Sequence, residues 1–145
     1  MNIIRLTINQ VSKAWDRDRI RYGIFEAFAP ETVPDSDMLQ SILCQLLKEE
    51  MQCWRIYDDE GKVYGHIITT ITTDLNKKNL LIYSEHAFYR FPNREAYVDV
   101  NDKLEQFAKA NGCQRVIGYS SNPVAISLAE KLGYSSDHRV LMKEV

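Results

Sequence analysis

The chain has 145 residues, 45% of them apolar and 26% charged, with a formal net charge of −2. That is enough chain for one domain with a substantial core. Near-neutral charge with scattered Lys and Arg argues against a nucleic-acid protein that works by neutralising phosphates. No apolar run reaches the length of a membrane span, and the start MNIIRLTINQ lacks the apolar core of a signal peptide. Cys44, Cys53 and Cys113 are odd in number and form no C-x-x-C pair, so reduced thiols in a cytoplasmic protein are expected, with no metal centre.

Ile3 to Ile8 alternates apolar and polar residues and predicts a first strand. Ser12 is a candidate cap for a helix running to Ala29 through Trp15, Ile20, Ile24 and Phe28, with a possible break at Gly23. The charged run Asp16 to Arg19, with Arg21, reads as its solvated face. Pro30 and Pro34 bracket a connector. Asp35 or Ser36 then opens an amphipathic helix carrying Met38, Leu39, Ile42, Leu43, Leu46 and Leu47.

Cys53 to Tyr57, Val63 to Thr73 and Asn79 to Phe91 read as three strands joined by the polar turns 58–62 and 74–78, an antiparallel meander. A helix follows that contains Leu104, Phe107 and Ala108 and stops at Gly112. Gln114 to Ser121 is a short strand. Asn122 caps a further helix with Pro123 at its first position, and Gly133 closes it. Arg139 to Val145 is the expected last strand. The order is that of a single layered α/β (α+β) domain over residues 1–145, with a mixed central sheet and helices on both faces.

The stretch from Leu104 to Tyr134 resembles the C-terminal half of the GNAT superfamily of acyl-CoA-dependent N-acetyltransferases. Asn122, Ala125, Leu128, Gly133 and Tyr134 fall in register on the family's last helix, N-x-x-A-x-x-L-Y-x-x-x-G-F. Ala108, Lys109 and Gly112 match an earlier helix ending A-K-x-x-G. The resemblance implies an N-acyltransferase that passes an acetyl group from acetyl-CoA to a small-molecule or peptide amine by direct attack. It also implies a pantetheine arm lying where two central strands splay apart, held by amides around Ala87, Phe88 and Tyr89, with Asn122 near the cofactor. A homodimer is compatible with it, through an edge strand or the apolar helical face near Leu39.

Two departures from the family pattern matter. The glycine-rich turn that holds the cofactor's pyrophosphate corresponds to Pro92-Asn93-Arg94-Glu95-Ala96-Tyr97, which has no glycine. Asn93 can cap the helix, the amides of Glu95, Ala96 and Tyr97 can face an anion, and Arg94 adds a cation. Against that, Tyr97 brings bulk and Glu95 a negative charge. The family's tyrosine acid is Ala129 here, leaving Tyr119, Tyr134 or an ordered water as substitutes. For the base, Glu85 and His86 are the candidates, and strand geometry lets only one face the site unless the strand bulges. His66 is a weaker candidate. A non-catalytic binding or structural module that kept the scaffold and lost acetyl-CoA is the alternative reading.

Overall fold

The computed structural model describes residues 1–17, 19–28, 35–74, 76–137 and 141–145. β1 (Asn2–Arg5) pairs antiparallel with β2 (Met51–Tyr57), β2 with β3 (Val63–Asp74), and β3 with β4 (Lys77–Ala87); β5 (Arg115–Gly118) joins β4 in parallel. The sheet order is β1-β2-β3-β4-β5. The mixed sheet and antiparallel meander expected from the sequence are therefore present.

The first strand is shorter than its alternation suggests. Thr7 is the cap that ends it: its Oγ1 accepts the Gln10 amide, while Gln10 Oε1 accepts the Thr7 amide. This reciprocal pair makes Ile8 the start of α1 (Ile8–Arg17), with Ser12 inside the helix. Two helices follow where one was expected, α1 and α2 (Ile20–Phe28), and the break is not at Gly23. It lies at Arg19, whose φ of 64° is left-handed. Gly23 is buried instead, because a Cβ there would sit 3.4 Å from His86 Cβ. The connector bracketed by Pro30 and Pro34 lies outside the described residues, as does Leu75 of the turn before β4.

α3 (Ser36–Leu47) is capped by Asp35, whose Oδ1 accepts the Met38 amide at 2.8 Å. Its Leu39, Ile42 and Leu46 join Leu6, Val11, Trp15, Ile20 and Ile24 in a core on one side of the sheet. Burial of Leu39 withdraws that residue from any subunit contact. α4 (Arg94–Ala110) covers the other side, placing Val100, Leu104 and Ala108 against Trp54, Ile56, Ile67 and Leu80. The period-two alternation of β3 serves both cores, Ile67 facing the α4 side and Ile68 the three-helix side. Each side chain of this size contributes about 1.5–3 kcal/mol when fully buried.

α5 (Pro123–Lys131) packs more lightly than its sequence suggests. None of its residues is fully buried, and Val124 is 77% exposed, not part of an apolar face. The expected last strand begins outside the described residues; its described part, 141–145, forms no strand, and Leu141 is 93% exposed.

Candidate active site

β4 and β5 pair only from Asn79–Arg115 to Ile82–Gly118. β5 ends at Gly118, whereas β4 runs on to Ala87 beside β3 alone. The cause is in β4 itself. Thr69 faces Ile82 and the next β3 residue back, Ile68, faces Ser84, so Tyr83 is an extra residue in the ladder. Such a bulge bends and twists a strand, separating its end from a straight parallel neighbour.

The amide directions follow from the ladder. Phe88 donates to the Tyr64 carbonyl at 2.7 Å, so its amide belongs to the sheet. Alternate amides face opposite edges, which turns those of Glu85 and Ala87 toward the gap beside β5. Of the strand amides expected to hold a cofactor, Phe88's is therefore spent, while Glu85's is an addition. Backbone donors along an unpaired edge suit an extended, amide-bearing ligand.

Glu85 and His86 project to opposite faces. Glu85 stands opposite Ile67 and so lies on the α4 face. Neighbouring protein crowds it enough for burial to push its pKa up, although the residue as a whole keeps solvent exposure. Near it, the Tyr134 hydroxyl donates to Asn101 Oδ1 at 2.8 Å, and its pKa is pushed up to about 12 by burial, with Glu105 and Glu85 adding to it. A hydroxyl so held is a packing partner and a poor acid.

His86 faces α2. Its ring meets Tyr22 edge-on at 6.0 Å and Phe88 at 5.2 Å. Burial lowers its pKa; Glu26 opposes that shift and Arg19 adds to it. The imidazole is thereby biased toward its neutral, proton-accepting form. His66, its neighbour across the β3–β4 ladder, is buried and edge-on to Phe88 at 6.0 Å.

The turn without glycine forms a capped helix start. Asn93 Oδ1 accepts the Ala96 amide at 2.9 Å, so that donor is taken, while Glu95 is exposed in the first turn. Tyr97 does not obstruct: its ring packs against Phe91 at 4.5 Å in the α4-side core. Arg94 is exposed and donates from Nη2 to the Lys131 carbonyl at 3.3 Å, tying the start of α4 to the end of α5. Asn122 caps α5, accepting the Val124 amide at 2.9 Å. Tyr119 is the first residue beyond β5 and is 67% exposed.

A recess of about 210 Å³ on the His86 side is lined by Arg17, Arg19, Val63, Phe88 and Tyr89. Arg19 lies over the rings of Tyr22 (4.2 Å) and Phe88 (4.9 Å), and Lys62 over those of Tyr89 (3.9 Å) and Tyr64 (5.2 Å). The sequence offered Arg19 only as part of a solvated face and Tyr89 only for its backbone amide; the contacts of Arg19 with Phe88 and of Lys62 with Tyr89 join distant segments and form only on folding. A larger groove of about 570 Å³, lined by residues such as Arg5, Thr7 and Glu49, lies at the opposite end of the sheet, remote from the strand gap.

No protein-family model and no curated protein sequence matches this chain. Solved structures do. AAC(6')-Iy, in complex with the bisubstrate analog CoA-S-monomethyl-acetylneamine, superposes with a TM-score of 0.75 at 13% identity, over 99% of this chain and 97% of that one. The chain has the GNAT fold. Glucosamine-6-phosphate N-acetyltransferase from Arabidopsis thaliana superposes at 0.65 with 18% identity, over 99% and 97% of the two chains. An aminoglycoside acetyltransferase from an uncultured soil metagenomic sample, in complex with sisomicin, does so at 0.69 with 19% identity, over 99% and 94%. The GNAT fold is thus shared across nearly the full length, at identities that speak for architecture and not for substrate.

Proposed function

We propose that this GNAT-fold chain is an N-acyltransferase that uses acetyl-CoA or a related acyl-CoA to modify a small amine. The observation that carries the reading is the gap beyond Ile82 and Gly118, lined by the outward amides of Glu85 and Ala87. These donors suit the amide-bearing arm of CoA and the oxygen of a thioester carbonyl, where charge develops during acyl transfer. The first turn of α4, with Arg94 beside it, is the neighbouring place for an anionic group, although one of its amides already serves Asn93.

Acyl transfer to an amine forms a C–N bond and breaks a C–S bond; the amine loses a proton and the departing thiolate gains one. His86 is the better-placed base, since it shares a face with the recess beside Phe88 and its lowered pKa keeps it neutral. Glu85 lies on the other face of β4, toward α4. Tyr119, exposed at the end of β5, is the described tyrosine with freedom to approach a leaving thiolate, whereas Tyr134 is committed to Asn101.

Thermal unfolding with CoA and acetyl-CoA tests the reading. Ligand at 100 times its Kd stabilises by about 2.7 kcal/mol, which for a domain of this size raises Tm by several degrees. Arg94→Glu should reduce that shift several-fold; because it also removes the contact to the Lys131 carbonyl, the shift is read against the variant's own unliganded Tm. No shift at millimolar CoA would favour a scaffold that has lost its cofactor.

A further inference from the structure

The geometry points to an acceptor that carries an anionic group, a carboxylate or phosphate, next to an apolar or aromatic body. The acceptor amine itself rests on the acyltransferase reading; the anion site does not. The recess is lined by Arg17 and Arg19 from around the α1–α2 break, by Val63 of β3 and by Phe88 and Tyr89; Lys62, the residue before Val63, lies over the Tyr89 ring at its edge. The Arg19 guanidinium and the Lys62 ammonium are held on ring faces, and neither charged group makes a hydrogen bond or ion pair with any described residue. A guanidinium or ammonium positioned in this way keeps its donors available for a ligand oxygen.

Among the described residues, three carboxylates on the flanking elements have partners elsewhere. Asp16 pairs with Arg21 at 3.7 Å, Asp58 Oδ1 accepts the amides of Glu60 and Lys62, and Asp59 Oδ1 accepts from Asn2. Glu26 lies near His86 and is the acidic neighbour on α2. Arg17 and Arg19 thus line the recess with Lys62 at its edge, while the described carboxylates Asp16, Asp58 and Asp59 are turned to other donors. A polycationic amine meets repulsion here, and an amine with a nearby anion is drawn in.

The backbone at Arg19 adds a specific control. Its φ of 64° is a conformation in which a side chain is strained and glycine is not. Arg19→Gly therefore removes the guanidinium while suiting the chain path, so it should fold.

Matched probes decide the matter. L-phenylalanine against phenylethylamine isolates a carboxylate, O-phosphoethanolamine against ethanolamine isolates a phosphate, and spermidine supplies a polycation. Calorimetric titration into the protein, without CoA, should show one anionic member binding about tenfold tighter than its partner, the worth of one good charge-assisted contact. Which pair shows it identifies the anion. The difference should shrink to about threefold or less in Arg19→Gly and in Lys62→Ala. Equal affinities within both pairs, preference for spermidine, or a preference unchanged in both variants would overturn the proposal. Release of thiol from acetyl-CoA is read separately with the same amines. Anion-selective binding without thiol release would retain the site and discard the acyltransferase reading; release without anion preference would do the reverse.

Discussion

Glu85 and His86 are neighbours in sequence that the strand sends to different environments, and their protonation equilibria move in opposite senses. Burial raises the Glu85 pKa above its ordinary 4.5, so folding favours the neutral acid. The stability this group contributes is present below that value and lost as pH rises through the folded one. Glu85→Gln should therefore raise Tm at neutral pH relative to the parent, with the difference vanishing below about pH 4. His86 has its pKa lowered from 6.5, so its contribution is present above 6.5 and is lost as pH falls through the folded value. If His86 is the base, acyl transfer rises with pH through that lowered value and is flat at neutrality. His86→Gln should remove this limb and cut kcat by about 10²-fold or more, whereas Glu85→Gln should keep the limb. A limb that survives in His86→Gln would transfer the role elsewhere.

Among the elements, β4 decides most. Its bulge at Tyr83 separates it from β5, and its far end is held to β3 through Gly65, the Cα partner of Ala87. A Cβ on Gly65 would overlap the His86 carbonyl oxygen, a backbone atom that yields only if the strand shifts. Gly65→Ala should therefore destabilise by about 1–3 kcal/mol and weaken CoA binding more than a substitution of equal cost in α3. Urea unfolding and the CoA-induced Tm shift, measured together, check both halves. Loss of stability with full CoA affinity would mean that the end of β4 does not shape the gap. α5, by contrast, contributes little burial; it is attached by its Asn122 cap, by the Arg94 contact to Lys131 and by the Tyr134 hydroxyl on Asn101.

In the whole molecule, one sheet serves two cores, and consecutive residues on β3 belong to different ones. Ile67→Ala and Ile68→Ala remove matched side chains from the two sides, each at a cost of about 2–5 kcal/mol. Because both cores share the sheet, each variant should unfold in a single transition shifted by a comparable amount. Two transitions in either variant would show that the helical layers melt independently. The described residues contain no helix long and apolar enough to cross a membrane.

Local chemistry was enough to read the meander, the α3 stripe, the caps at Asp35, Asn93 and Asn122, and the order of elements apart from the helix break at Arg19 and the last strand, whose described part 141–145 forms none, because each depends on neighbours within about one helical turn or one strand pleat. It erred where a closer competitor existed: Thr7 capped before Ser12, and Arg19 broke the helix where Gly23 was suspected. The register of Asn122 with Tyr134 pointed to the architecture that the solved structures share. Strand alternation already implied that Glu85 and His86 face apart; only the tertiary structure showed that β4 and β5 part after Ile82, that Tyr97 turns into the core, and that Arg19 meets Phe88 and Lys62 meets Tyr89. The reason is physical. Periodicity along the chain records which side of an element is apolar, but a strand bulge and contacts between distant side chains are fixed by how the elements pack, and packing leaves no local pattern.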